Sequence, residues 1–297
     1  MIILYNTYDK IENTDDLTIT MGNFDGLHLG HQQLINRVLR YKDTKHAVLT
    51  YDPHPSEILR KMPFRTLTQK RDKIELLSQF PLDYAIIVKF DEPFSKLNVK
   101  QFIEFLQRIS VKRLVIGRDA RFAYRGVGTI DELRKYFVVD VMNDLVYNHT
   151  RVSTTYIKDF LIQGDLGSAR KLLNRHYQIT GKVLHGHKIG RGIGYPTANI
   201  DFDNYYLPRM GVYYVKVFVN ETWYHGMANI GHNPTINFSE SRRLEIFILD
   251  FDEDIYDKKV LVDFMHYMRP EYRFPSKDAL IRQLKKDEQM VRSLAKV

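Results

Sequence analysis

Thr20-Met21-Gly22-Asn23-Phe24-Asp25-Gly26-Leu27-His28-Leu29-Gly30-His31 is the stretch whose reading decides the fold. It follows a short apolar run at 17–21 that reads as a strand, and it opens a helix-period segment at 32–41. A strand that passes into a helix through glycines leaves the first helical N–H groups and the positive end of the helix dipole facing the turn, where an anion binds well. Gly22, Gly26 and Gly30 let the backbone approach a phosphate closely. His28 and His31 can aim imidazole donors at the same group without a covalent bond, which is catalysis by positioning. The plainer reading makes both histidines ordinary helix-start residues. A zinc site is a further alternative, and without cysteine it needs a third ligand such as His54 or Asp52.

Outward from that turn, strand-like runs at 47–51, 84–88, 113–116 and 138–141 alternate with helix-period stretches at 70–80, 99–109 and 129–137. This alternation builds a parallel sheet covered by helices, so the first part is α/β, doubly wound and Rossmann-like. Helices at 154–162 and 166–173 close the region, with Gly164 as a C-cap between them. Beyond Tyr177 strands follow one another at 179–184, 212–219, 223–228, 244–249 and 259–265 without helices between, the pattern of an antiparallel barrel or sandwich. A final helix starts from Ser276 as N-cap and places Leu280, Leu284, Val291 and Leu294 on one face. The expected domains are 1–177 and 178–297.

Composition agrees with two domains. The 297 residues are 44% apolar, enough for two cores, and a formal charge of +8 favours anionic partners. The absence of cysteine excludes disulfides, thiolate catalysis and Cys-ligated zinc, and suits a reducing cytoplasm. The opening Met1-Ile2-Ile3-Leu4-Tyr5 is too short for a signal or membrane span, so a cytoplasmic protein without membrane association is expected. The triplets Asn148-His149-Thr150, Asn220-Glu221-Thr222 and Asn237-Phe238-Ser239 are then chance matches to a glycosylation acceptor. A basic nucleic-acid binder is the competing class, but the sequence offers no Arg-aromatic stripe or helix-turn-helix pattern.

A second constellation lies in the strand-rich half. The segment from His185 to Asn199 is rich in glycine and in basic or imidazole groups, Gly190 and Arg191 among them, and suits a flap over phosphates. Thr197 and Asn199, two apart on a strand, offer oxygen ligands to Mg²⁺ from one face. Glu245 interrupts the apolar run Leu244-Glu245-Ile246-Phe247-Ile248-Leu249. Alternation alone makes it a surface-facing strand residue, whereas a buried carboxylate there needs a task or a partner.

Gly-Asn-Phe-Asp-Gly-x-His-x-Gly-His at 22–31 closely resembles the adenylyltransferase signature of bacterial bifunctional riboflavin kinase/FAD synthetases, a branch of the HxGH nucleotidylyltransferases. The resemblance continues through Asp52-Pro53-His54-Pro55, Gly117-Arg118-Asp119-Ala120-Arg121-Phe122 and Val152-Ser153-Thr154-Thr155-Tyr156-Ile157-Lys158. It implies that His28 and His31 hold ATP phosphates, with Gly22, Asn23, Phe24, Asp25, Gly30, Asp119, Ser153, Thr155 and Lys158 also on the nucleotide, while the FMN phosphate attacks the α-phosphorus and expels pyrophosphate. Ser153 and Thr155 serve equally well as helix N-caps. Ala120 and Ala123 replace an aromatic residue and a glycine of the usual pattern, and Lys158 replaces an arginine, keeping the charge but losing the planar fork.

Pro196-Thr197-Ala198-Asn199, Gly211-Val212-Tyr213, Ala228-Asn229-Ile230-Gly231-His232-Asn233-Pro234-Thr235, the Glu245 strand and Arg269-Pro270-Glu271-Tyr272-Arg273-Phe274 occur in the order seen in riboflavin kinases. That resemblance implies a kinase barrel in which Thr197 and Asn199 bind Mg²⁺ and ATP phosphate and Glu245 is the base for the ribityl hydroxyl. Asn229, Arg269 and Glu271 would line the flavin side, although Arg269 and Glu271 also read as a surface ion pair. Together the halves imply conversion of riboflavin to FMN and of FMN to FAD with ATP and Mg²⁺. A narrower alternative keeps the kinase and makes the first domain weak, specialised or regulatory. The oligomeric state stays open, a homo-oligomer included.

Overall fold

The computed structural model describes residues 1–60, 64–185, 194–232 and 242–297, and the chain divides into two compact units, Met1–Thr154 and Thr155–Val297. In the first, β1 (Ile2–Asn6), β2 (Leu17–Met21), α1 (Leu29–Val38), β3 (Lys45–Asp52), α2 (Pro55–Arg60), α3 (Lys70–Ser78), β4 (Tyr84–Lys89), α4 (Glu92–Ser95), α5 (Val99–Arg108), β5 (Val111–Gly117), α6 (Ile130–Arg134) and β6 (Val138–Met142) precede a small hairpin, β7 (Val146–Tyr147) and β8 (Thr150–Arg151). The second holds α7 (Thr154–Gln163), which starts at the boundary, then α8 (Leu166–Leu173), β9 (Tyr177–Leu184), β10 (Ala198–Asp201), β11 (Gly211–Val219), β12 (Thr222–His232), β13 (Arg242–Ile248), β14 (Lys259–Arg269) and α9 (Lys277–Ala295).

The first unit is a parallel sheet in the order β1-β4-β3-β2-β5-β6. Leu17, Thr18, Ile19 and Thr20 of β2 are all buried, as a central strand covered on both faces requires. From β2 the chain steps to β3 and β4 on one side, then returns to place β5 and β6 on the other. The topological switch, where open α/β sheets bind ligands, therefore lies at the carboxyl ends of β2 and β5. The flanking helices are fixed by local chemistry. Asn98 and Gln101 form a capping box on α5, whose Phe102, Phe105 and Leu106 are buried at helical spacing. Thr129 and Glu132 do the same for α6, which ends at Arg134 instead of continuing to 137 because Phe137 returns to the core ahead of β6.

Three strands carry little sequence signal. β1 lies at an edge with Ile2, Ile3 and Tyr5 exposed, and its apolar residues serve pairing with β4. β7 and β8 are each two residues long, too short for periodicity.

The second unit closes β10-β13-β12-β11-β14-β9 into an antiparallel barrel, which leaves these strands no open edge. Alternate residues fill it, among them Ile179, Val183, Val215, Val217, Ala228, Ile230, Leu244, Ile246, Val260 and Val262, all buried. Gly211 has φ +144, and a Cβ there would collide with the carbonyl of Arg269 on β14, so close approach of β11 and β14 requires glycine. α9 begins at Ser276, whose hydroxyl accepts from the Ala279 N–H as its sequence suggests. It packs through Val291 on Tyr214 and Met227. Leu294 is not part of this buried face: it is 45% exposed, and the buried position is taken by Asp287.

The boundary between the compact units falls after Thr154, the first residue of α7, whereas the sequence grammar changes only after Tyr177. α8 packs on β9 and β14, which places it with the barrel.

Candidate functional site

The turn after β2 is held in an unusual backbone. Phe24 and Leu27 have φ of +49 and +41, and Gly26 has +77. Such values are costly for residues with side chains, and they persist where the surroundings impose them. Here Asp25, buried, accepts through Oδ1 from the N–H groups of Leu67 (2.8 Å) and Thr68 (3.0 Å), while the Gly26 N–H donates to Thr68 Oγ1 at 3.0 Å. The Asp25 carbonyl accepts from Thr154 Oγ1 at 3.0 Å. Asp25 is thus a structural clamp of the turn, and Phe24 is buried beneath it.

His28 is the N-cap of α1, and its Nδ1 accepts the His31 N–H at 3.3 Å. This is why α1 begins at Leu29, ahead of the expected 32. The helix-start reading and the anion reading therefore coexist, because an accepting Nδ1 leaves the proton on Nε2. The two rings stack with centroids 3.6 Å apart, and Phe24 packs on His31 at 4.9 Å. Burial pushes the His31 imidazole well below its usual range, and the neighbouring His28, Lys73 and Arg151 act in the same direction. Its Nδ1 is buried without a hydrogen-bond partner. A Cβ on Gly30 would lie 3.2 Å from Cε1 and Nδ1 of His28, so this glycine makes room for the ring.

Of the other candidates, Gly22, Asn23 and Asp119 follow strands of the first unit, whereas Thr155 and Lys158 belong to the second. Asp119 follows β5 and receives both terminal nitrogens of Arg151, whose hydrogen bonds hold the carboxyl below its usual range. Gly22 closes β2 by donating to the Leu49 carbonyl at 3.0 Å, and Asn23 is exposed. Ser153 is half-buried just before α7 and Thr155 is exposed on its first turn. The Lys158 ammonium lies 5.2 Å from the centre of the Tyr206 ring. Ala120 and Ala123 pack against the core around Phe122. Among the described residues no cluster of three His, Asp or Glu has the arrangement of a metal site, so the zinc alternative built on His54 or Asp52 finds no support.

In the barrel, strand register gathers the second set. Asn199 on β10 and Asn229 on β12 both pair directly with Glu245 on β13, between them. Directly paired residues project to one face, so the three side chains form a row on the outside of the barrel. Glu245 is half-buried, with 23% of its side chain exposed, and Arg243 Nη1 lies 3.6 Å from its Oε1. Thr197 is exposed just ahead of β10. Hydroxyl and amide oxygens from Thr197 and Asn199 suit Mg²⁺, which takes hard donors, keeps several waters and arrives on nucleotide phosphates. Gly190 and Arg191 lie outside the described residues, as do Asn233, Pro234 and Thr235.

The flavin-side candidates correct one expectation. Arg269 and Glu271 are not paired with each other. Arg269, at the end of β14, makes a double hydrogen bond to buried Asp287 of α9, with the shortest contact 2.6 Å. Glu271 instead accepts from Asn229 Nδ2 at 3.0 Å, and a Cβ on Gly231 would strike the same carboxylate. The physical reason is that a half-buried amide and a buried carboxylate each demand a partner that solvent cannot supply. Asn229 Oδ1 remains buried without a partner.

Sequence reasoning missed Lys73 and Asp287. Each is a charged residue at core-facing helical spacing, Lys73 beside Leu76 and Leu77 and Asp287 one turn before Val291, and that interruption was the available signal.

The FAD synthetase family model matches residues 10–156 and the riboflavin kinase family model matches residues 173–295. A bifunctional riboflavin kinase/FMN adenylyltransferase from Listeria monocytogenes is 36% identical over 98% of this chain and 97% of its own length. The chain belongs to the bifunctional riboflavin kinase/FMN adenylyltransferase family. Its relative in Haemophilus influenzae is 38% identical over 91% of both chains. A crystal structure described as a macrolide-efflux protein from Streptococcus pneumoniae has the same fold, with a TM-score of 0.88 and 29% identity over 98% of this chain and 99% of that one. No helix among the described residues is long and apolar enough to cross a membrane.

Proposed function

We propose that residues 178–297 phosphorylate riboflavin and that residues 1–177 transfer AMP to the FMN so formed. The observation that carries the kinase assignment is the row Asn199, Glu245 and Asn229 on adjacent strands. Glu245 takes the proton of the ribityl 5′-hydroxyl as the oxygen attacks the γ-phosphorus of ATP, and ADP leaves. Asn229 presents its unpartnered carbonyl oxygen, and with Glu271 it faces the flavin. Arg269 acts on this side through its grip on α9. Thr197 and Asn199 would hold the Mg²⁺ that comes with ATP, and that ion offsets phosphate charge when bound.

In the first unit the turn from Gly22 to His31 receives the phosphates of a second ATP. The FMN phosphate attacks the α-phosphorus and pyrophosphate departs. A neutral His31 and an Nε2-protonated His28 donate hydrogen bonds as charge builds on the leaving group, which stabilises the transition state without proton transfer. Asp119 and Ser153 are assigned to the same nucleotide. The formal charge of +8 answers to ATP, FMN, FAD and pyrophosphate, with no nucleic-acid partner and a cytoplasmic location.

Incubation of the whole chain with riboflavin, ATP and Mg²⁺, followed by chromatography of FMN, FAD and pyrophosphate, tests both halves. Glu245→Gln should slow FMN formation by ~10²–10⁴, the usual worth of a general base, and leave FAD formation from added FMN unchanged. FMN formation at the wild-type rate would remove Glu245 from the mechanism.

A further inference from the structure

Beneath the first turn lies a lysine to which neither reaction above gives a role. Lys73, in the first turn of α3, is only 7% exposed and shares its buried face with Leu76 and Leu77. Its ammonium donates to Thr50 Oγ1 at 3.2 Å and to the Tyr51 carbonyl at 3.4 Å, both near the carboxyl end of β3. Thr50 in turn donates its hydroxyl proton to the Asn23 carbonyl at 3.1 Å. The direction of this relay is fixed, because an ammonium has no acceptor and the hydroxyl has one proton to give. It ends on the peptide that joins Asn23 to Phe24, where the backbone enters its left-handed stretch.

The residues ahead of α3 hold the next part of the turn. Leu67 and Thr68 bind the Asp25 carboxylate, and Thr68 Oγ1 receives the Gly26 N–H. One short segment, Thr66 to Lys73, therefore grips the turn at Asn23, Asp25 and Gly26. An apolar side chain at 73 would pack on Leu76 and Leu77 without the cost of burying an amine. That cost is visible: desolvation pulls Lys73 down to about 8, although Asp25 and Asp52 both oppose the shift.

We infer that Lys73 is a positioning residue for adenylyl transfer: through Thr50 it fixes the Asn23 carbonyl and the turn into α1, and it keeps a buried positive charge within reach of Asp25, Asp52 and His31. The inference rests on the reading of the first unit as the adenylyltransferase. The charge offsets the two carboxylates beneath an anion site, and it helps to keep His31 neutral and able to donate from one fixed nitrogen.

The test uses the full chain with Lys73→Met, Lys73→Arg and Thr50→Val. Steady-state AMP transfer from ATP to FMN is measured beside riboflavin phosphorylation, which serves as the internal control, and the His31 imidazole is titrated by NMR. Lys73→Met should lower kcat for AMP transfer on the order of 10²-fold, as displacement of a positioned group does, with a smaller change in KM for ATP and normal kinase activity. The His31 titration should move upward, because a positive neighbour has gone. Lys73→Arg should return that titration to its wild-type position and recover part of kcat. Thr50→Val keeps the charge but cuts the relay, so kcat should fall while the His31 titration stays in place.

A lysine that only fills space would leave the His31 titration unmoved in Lys73→Met, and kcat would follow the fraction of folded first unit. That result, or an unchanged kcat, overturns the inference. The folded chain holds this amine near 8 against 10.5 when free, so its burial opposes folding at neutral pH and methionine should be tolerated. If Lys73→Met nevertheless fails to fold, Thr50→Val decides, and a wild-type kcat there sinks the relay. A wild-type chain that transfers no AMP to FMN overturns the reading of the first unit and this inference with it. An active wild type and an equally active Lys73→Met overturn the inference alone.

Discussion

The His31 backbone N–H donates to Nδ1 of His28, and the two imidazoles stack at 3.6 Å between centroids. Burial then holds His31 well below its usual value of 6.5. The unfolded chain takes up this proton near 6.5 and the folded chain resists it. The corresponding stability is full above pH 6.5 and is lost as the pH falls below it. Amide hydrogen exchange of β2 and α1 between pH 5 and pH 8 should show this loss, and His31→Gln should flatten it. Parallel pH profiles for the two proteins would mean that His31 is not held neutral.

Gly30 serves the same pair. A methyl group there meets the His28 ring at 3.2 Å, so the ring or the start of α1 must shift by a few tenths of an ångström. Gly30→Ala should lower AMP transfer by roughly tenfold or more, since misplacement of about 1 Å costs on the order of 10². Riboflavin phosphorylation in the same sample should be unaffected. Equal loss of both activities would point to a general folding defect.

The turn that begins the chain's first helix was legible because strand, glycines and imidazoles are contiguous from Leu17 to His31. The barrel was legible from successive strands, but its closure was not, since the β9 and β10 pairing joins Val183 to Ile200 across residues with no shared period. The row of Asn199, Glu245 and Asn229 depends on register, which is set by three strands far apart in sequence. Alternation did place Glu245 on the outer face of its strand, and a surface row turns out to be compatible with a catalytic assignment. The partners of Arg269 and Lys73 lay beyond local reading, because each is chosen by tertiary contact: Asp287 comes from α9 and Thr50 from β3.

Ala123 stands where the family pattern has glycine, and its backbone shows the consequence. Its φ of +63 with ψ of −176 falls in a region that is essentially glycine's own. Strain of this kind is worth about 1–3 kcal/mol, against about 0.5–1 kcal/mol for the greater freedom of glycine in the unfolded chain. Ala123→Gly should therefore stabilise the first unit by about 1 kcal/mol, a rise of roughly 2–4 °C in its calorimetric transition. An unchanged or lower transition would show that the loop relaxes around alanine.

Arg269 and Asp287 are the strongest test of how the barrel carries its flavin side. Their side chains are 13% and 4% exposed, and Gln283 Nε2 adds a hydrogen bond to the same carboxylate at 2.8 Å. The guanidinium also lies over the rings of Tyr272 and Phe274, so one residue ties α9 to the segment that contains Glu271. Removal of one partner leaves the other charge buried and uncompensated, a loss of roughly 3–5 kcal/mol, whereas a well-packed apolar pair avoids that loss. Asp287→Asn should lower the stability of the second unit by that order, and the double variant Arg269→Met with Asp287→Leu should recover most of it. Trp223, the chain's single tryptophan, packs on Phe218 at 5.3 Å in the barrel, so its fluorescence during urea unfolding follows this unit alone. If the pair only braces the fold, the double variant regains riboflavin KM together with stability. If Arg269 also sets the Glu271 segment against the flavin, stability returns while KM for riboflavin stays raised.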